Sequence, residues 1–221
     1  MIFDWNYARE ILPLLWQALH ITVQATVLGM LLAMVLGLLL ALARRSPWPL
    51  LSWPTAFIIE FVRSTPLLVQ LYFFFYGLPA LGWKPSALLT GILALGLHYA
   101  AYCAEVYRAG IESVPRGQWE AAQALNLGRW RTATGVILPQ AIPPVVPALG
   151  NYWVAMFKDT PLLSAITVVE VLQQAKIIGS SSFRYVEPIT LVGVMFLVLS
   201  LLAAWLVHRT ERWLRLPGQG R

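Results

Sequence analysis

Charge is scarce in this chain. Only 12% of its 221 residues are Asp, Glu, Lys or Arg, where a soluble domain carries about 25%. With 58% hydrophobic residues and a mean hydropathy of +0.66, a soluble fold would leave large sticky patches on its surface. Cysteine is nearly absent. The single Cys103 excludes an internal disulfide and, in an apolar stretch, reads as a small core hydrophobe. No His/Cys cluster has metal-ligand spacing, and no local context supports a Ser/His/Asp arrangement. There is no G-x-x-x-x-G-K-[ST] segment, so the chain supplies no phosphate-cradling loop of its own. The net charge is +6, but the basic residues flank apolar segments and form no stripe, which argues against nucleic acid. Asp4 and Glu10 precede the first long apolar run without a basic n-region, so a cleaved signal peptide is not expected. No linker or low-complexity stretch divides residues 1–221, which read as a single domain.

Long apolar runs are what the chain does have. Ile21–Ala43 is 23 residues without a charge, enough to cross a bilayer, and Arg44 and Arg45 end it. Further runs cover Pro54–Gly77, Ala87–Tyr107, Val145–Val168 and Ile189–Val207. The expected fold is all-α and polytopic, with five transmembrane helices and the termini on opposite faces. An outside N-terminus puts 10 basic residues inside, 4 outside and 2 within spans. The positive-inside rule therefore predicts a cytoplasmic C-terminus. Trp5, Trp16, Trp83 and Trp205 fall near the ends of these runs, as interfacial anchors do. Gly37 and Ala41, and Gly91 and Ala94, allow close helix packing.

Two runs carry charge. Glu60 and Arg63 are three apart and share a helix face, with Thr65-Pro66 just beyond. Lys158, Asp159 and Thr160 precede Pro161 in the fourth run. Each site repeats Thr-Pro-Leu-Leu after the charges. Ionisable residues inside a membrane are costly and mark function by default, and paired interrupted helices point to a transporter's binding region. A zwitterion needs a donor for its carboxylate, which Arg63 offers bidentately, and an acceptor for its cation, which Glu60 or Asp159 offers. Thr65 and Thr160 add hydroxyls, and Lys158 completes the candidate path. The alternative is that Glu60–Arg63 and Lys158–Asp159 neutralise each other as structural pairs. His20 and His208 are placed at the interfaces, and His98, beside Tyr99 and Tyr102, as a packed, hydrogen-bonded residue.

Between the third and fourth runs lies a polar loop, approximately 108–139. Pro115 suits a first helical position, and Gln118 to Leu125 favours helix through Ala121, Ala122 and Ala124. Asn126 and Gly128 can take the left-handed backbone that stops one. Pro139, Pro143, Pro144 and Pro147 then predict an irregular return to the membrane. Glu120 offers a charge, and Trp119 and Leu125 offer apolar anchors to a partner; a helix resting on lipid headgroups is the alternative.

Glu120-Ala121-Ala122, three residues, Asn126, and then Val136-Ile137-Leu138-Pro139 resembles the EAA loop of membrane permeases in binding-protein-dependent ABC importers. The family pattern has Gly where this chain has Asn126, and Asn is the next best residue for a left-handed turn. The segment from Glu105 through Leu172 resembles the polar amino acid branch, Asn151 to Pro161 is similar to ectoine and hydroxyectoine permeases, and the resemblance covers nearly all of residues 15–210. The resemblance implies a multi-pass permease subunit of the bacterial inner membrane that is not itself an enzyme. Glu120, Ala121, Ala122, Asn126, Leu138 and Pro139 would couple it to partner ATP-binding subunits, which hold ATP and Mg. A second permease subunit, identical or paralogous, and an extracytoplasmic solute-binding protein would complete the importer. Two rivals remain at this point: an ion-coupled secondary transporter using Glu60 and Asp159 as proton carriers, and an intramembrane enzyme using His98 or Glu105.

Overall fold

A computed structural model describes residues 3–214, with side chains through Arg212. Arg215 and Arg221 of the charge tally lie outside the described residues. Every regular element among the described residues is helical. In chain order they are α1 (Trp5–Arg44), α2 (Pro49–Ser64), α3 (Leu67–Ala80, with a π turn at Phe73–Gly77) and α4 (Ala87–Glu112). Then come α5 (Arg116–Ala124), the helical run α6 (Arg129–Ile166), α7 (Val171–Ser182) and α8 (Val186–Leu214). Four helices, α1, α4, α6 and α8, are long and apolar enough to cross a membrane, and α2 with α3 makes a fifth if the bent pair is one span.

The bundle is built around α4. In its most apolar stretch 67% of residues are buried by protein, against 11% for α8. Small residues let α1 lie directly on α4. A Cβ added at Gly37 would sit 2.6 Å from the Cys103 Cβ and 2.9 Å from the Ala100 carbonyl oxygen. Ala41 is buried with Ile59, Ala101 and Ala104. Gly91 plays the same part against Leu163. The outside is apolar instead of polar: Val35, Leu39 and Leu42 of α1 and Leu197, Leu201 and Leu202 of α8 are all exposed, as lipid-facing residues are.

The helices differ from the sequence expectation at five places. α1 begins at Trp5 and not at Ile21, because Asp4 caps it, accepting from the Asn6 amide at 2.9 Å and the Tyr7 amide at 3.3 Å. At 40 residues it is about 60 Å long, roughly twice the hydrocarbon thickness. The second run is two helices, α2 and α3, meeting at 106°. The prolines of α6 do not make its return irregular. Pro139 follows directly on a π turn at Ala133–Ile137, and Pro143, Pro144 and Pro147 lie further inside the same helical run. At Lys158–Pro161 the helix does not break but tightens into a 3-10 segment, Thr160–Ile166. The short helix α7 had no counterpart in the sequence reading. Glu170 caps it, accepting from the Leu172 amide at 2.9 Å and the Gln173 amide at 2.7 Å.

The start of α1 is tied to the α7–α8 corner. The Tyr7 hydroxyl donates to Ser182 at 2.7 Å, and the Arg184 guanidinium lies 4.4 Å from the Tyr7 ring centre. Arg184 reaches Asp4 at 3.4 Å and pairs with Glu187. The Tyr7 and Asn6 amides, with Arg184 beside them, hold the Asp4 carboxyl below the usual carboxylate range. Its contribution is therefore present above the ordinary carboxylate pKa and is lost as pH falls through the depressed value.

Gly37→Ala tests the α1–α4 seam. The new methyl meets backbone that cannot yield, so overpacking of about 1–3 kcal/mol outweighs the roughly 0.5–1 kcal/mol that Ala gains over Gly in a helix. Gly193→Ala, where nothing lies within 4 Å, receives only the gain. Thermal unfolding in detergent should fall for the first variant and not for the second; equal midpoints for wild type and Gly37→Ala would refute the tight seam.

Candidate functional site

Two places collect the residues singled out by sequence. The first is the elbow between α2 and α3. Pro66 lacks an amide hydrogen and crowds its predecessor, so Thr65 is extended (φ −108°, ψ 139°) and α2 stops at Ser64. Gln70 staples the bend. Its side-chain Nε2 faces the carbonyls of Val62 at 2.8 Å and Thr65 at 3.2 Å and the Thr65 hydroxyl at 2.6 Å. His98 Nδ1 lies 3.1 Å from the Gln70 side-chain oxygen Oε1, which makes the ring the donor there. His98 is thus a packed, hydrogen-bonded residue.

From this elbow a cluster of rings runs across α4 to α6. Tyr102 lies 5.2 Å from His98 and 5.3 Å from Tyr152, and Tyr99 lies 6.0 Å from Tyr102 and 6.2 Å from Tyr152, centre to centre. At one end the Arg63 guanidinium sits 5.4 Å from the Tyr102 ring centre, and the Tyr102 hydroxyl donates to the Arg63 carbonyl at 3.4 Å. At the other end the Tyr99 hydroxyl donates to Asp159 Oδ2 at 2.6 Å. A cation and an anion therefore bracket one tyrosine cluster. Glu60 is 3.5 Å from Arg63, with its side chain 68% exposed.

The remaining path residues are not gathered there. Lys158 is exposed and has no ion pair among the described residues, and Asp159 bonds Tyr99 instead of Lys158. The alternative Lys158–Asp159 pair does not form, because adjacent residues on a helix point away from each other. The hydroxyls of Thr65 and Thr160 serve local backbone, Thr65 toward Phe61 at 3.0 Å and Val62 at 3.2 Å, and the buried Thr160 toward Phe157 at 2.7 Å. Sequence reasoning missed Gln70, Tyr152 and the joint role of Tyr99 with Tyr102. The i,i+3 spacing of two tyrosines in an apolar span was the available signal.

The second place is the loop around α5. Pro115 stands just before the helix, which runs Arg116–Ala124, with Leu125 closing it. Asn126 then takes a left-handed backbone (φ 54°), with the Leu127 amide bonded to the Ala122 carbonyl at 3.0 Å and the Asn126 amide to that of Gln123 at 2.9 Å. This is the paired hydrogen-bond pattern of a Schellman end. Gly128 is not left-handed (φ −63°) and instead caps Arg129–Thr132. Val114 is buried against Ile137 and Ala141, so the end of α4 and the start of α6 hold the base of the loop. Ala122 packs inward, whereas Glu120, Ala121, Leu138 and Pro139 are exposed. Glu120 has no ion pair among the described residues. Leu125 and Trp130 are 73% and 79% exposed; Trp130 was not anticipated, although a tryptophan in a polar loop is a visible signal.

The family model for the inner membrane component of binding-protein-dependent transport systems matches residues 11–216. The chain belongs to that family. A probable amino-acid ABC transporter permease of Sinorhizobium fredii is 50% identical, over 99% of this permease and 96% of that one. The glutamine transport system permease protein of Escherichia coli is 33% identical, over 98% and 100%. A crystal structure of an amino acid ABC transporter with histidines matches with a TM-score of 0.91 at 35% identity, covering 96% and 99% of the two chains. The permease is a multi-pass inner membrane subunit of an ABC importer, and the ion-coupled rival gives way to that membership.

The α5 end is testable alone. Asn126→Gly accepts the same backbone and should leave stability unchanged, while Asn126→Val, β-branched at positive φ, should cost about 1–3 kcal/mol locally. Limited proteolysis within 116–132 reads this directly; equal cleavage rates for the Val variant and wild type would contradict the assigned turn.

Proposed function

We propose that this permease carries a polar amino acid inward, and that the Arg63–tyrosine–Asp159 cluster is the polar part of its path. The observation that carries the reading is the opposite charge at the two ends of one aromatic cluster. Arg63 suits a carboxylate bidentately. Asp159 suits an ammonium, and tyrosine faces favour a passing cation. The relatives described as amino-acid and glutamine permeases support an α-amino acid. An ectoine-like zwitterion has the same two charges and is the alternative cargo. Glu60 lies close enough to Arg63 to screen it until a solute carboxylate replaces it. Lys158, Thr65 and Thr160 support the path from its border.

In this reading residues 1–221 form one permease domain, with the N-terminus outside and the C-terminus in the cytoplasm, in line with the basic excess on the cytoplasmic side. Two permease chains, identical or paralogous, pair with two ATP-binding subunits, and an extracytoplasmic binding protein delivers the solute. ATP and Mg stay on the partner. Residues 108–139 are the coupling loop: Glu120, Ala121, Leu125 and Trp130 meet the ATP-binding subunit, Ala122 and Asn126 shape α5, and Leu138 and Pro139 start its return. The base of α5 is fixed to α4 through Val114 and to α6 through Ile137 and Ala141. Those two helices carry Tyr99, Tyr102, Tyr152 and Asp159. Movement of α5 on ATP binding then shifts the walls of the path against each other.

Asp159→Asn keeps size but removes charge, and uptake of a zwitterionic amino acid into ATP-loaded proteoliposomes should fall about tenfold, the effect of losing one charged hydrogen bond, with the ATP-binding subunit still attached. Unchanged kinetics would remove Asp159 from the path. Arg63→Ala and Glu60→Ala should each impair uptake while sparing assembly. If a Glu60→Leu/Arg63→Leu double variant restores both stability and uptake, direct contact with the solute is rejected.

Glu120→Lys should leave membrane insertion intact and weaken docking of the ATP-binding subunit, by about 2–5 kcal/mol if the charge is buried there. Normal co-purification together with normal ATP-dependent uptake would sink the coupling assignment.

A further inference from the structure

Two cavities share residues of α8, one of them in the cleft where α1, α6 and α8 converge. One, about 400 Å³, is walled almost wholly by apolar side chains, among them Met30 and Met34 of α1, Leu149 and Trp153 of α6, and Val207 of α8. The other, about 480 Å³, is lined by Leu206, Arg209, Thr210 and Arg212. Leu206 and Thr210 line both, so Arg209 and Arg212 stand on α8 beside the end of the apolar cleft. Arg209 lies 5.5 Å from the Trp205 ring centre, an aromatic and cationic pair of the kind found at a membrane interface. Glu211 is the only acidic residue of the sequence beyond Glu187. Its Oε2 is 3.5 Å from His208 Nδ1. Neither Arg209 nor Arg212 forms an ion pair with a carboxylate among the described residues, which is equally true of Arg9, Arg116, Arg129 and Arg131.

We propose that this cleft holds an anionic phospholipid, with its acyl chains between α1 and α6 and its phosphate at Arg209 and Arg212. The guanidinium fork matches phosphate oxygens. Basic pockets between membrane helices on the cytoplasmic side recruit anionic headgroups, and the cytoplasmic placement rests on the orientation proposed above. A free phosphate would use the two arginines but leave the apolar cleft unfilled; a lipid uses both. The bound lipid would also lie against Trp153, the residue next to Tyr152 of the path.

The test uses the assembled transporter in nanodiscs of equal parts phosphatidylcholine and phosphatidylglycerol, with retained lipid counted by mass spectrometry after the complex is released. Phosphatidylglycerol should be enriched over the bulk. Arg209→Gln/Arg212→Gln should cut that enrichment about tenfold, and Val27→Trp, which fills the cleft with the arginines intact, should lower it as well. Both variants should remain assembled and keep their solute-stimulated ATPase, which separates this result from a failure of the path reading. No enrichment in wild type, or enrichment untouched by both variants, would overturn the proposal. So would a cross-link from Leu31→Cys to the second permease chain, because a protein would then fill the cleft.

Discussion

The seam between α1 and α4 is the contact on which the rest of the bundle depends. In lipid, apolar side chains gain little by leaving one apolar neighbour for another, so close packing must hold helices together. Gly37 supplies it here by bringing α1 within van der Waals reach of the α4 backbone. With α1 fixed, α4 becomes the central helix. Elbow, tyrosine cluster and α5 are all positioned by its face or its end.

The elbow illustrates how a membrane protein tolerates a broken helix. Pro66 and the extended Thr65 leave carbonyls of the last turn of α2 without helical donors. Unsatisfied backbone at membrane depth is costly, and Gln70 answers it with its side-chain amide. The price of the bend is thus met locally, and the result is useful: Arg63 sits at the end of α2 beside Tyr102, not inside a continuous helix. A straight second span would have no elbow at which to present that charge.

The same helices that bracket the tyrosines also bracket α5. Val114 lies just past α4, Ile137 and Ala141 lie in the first half of α6, and their burial together makes one joint below the loop. The Schellman end at Asn126 keeps α5 short, so only a few residues separate Glu120 and Trp130 from the joint. Close-packed joints of this kind move between discrete arrangements and do not deform gradually.

Sequence alone determined the membrane character, because 23 uncharged residues have no other economical solvent. It determined the break at Thr65-Pro66 and the left-handed turn at Asn126, because proline's missing amide and the backbone tolerance of Asn are local properties. It also located the charges Glu60, Arg63 and Asp159. Only the tertiary structure decided which partners they take. Asp159 bonds Tyr99, sixty residues away, and no periodicity reports a contact between different helices. The early start of α1 and the presence of α7 rest on single capping carboxylates, Asp4 and Glu170, which hydropathy reads as interruptions. The four prolines from Pro139 to Pro147 inside α6 do not break it: a missing amide weakens a helix locally, but neighbouring helices can hold its axis. The 106° bend was likewise a matter of packing, since Pro66 requires an interruption but leaves its angle to Gln70 and α4.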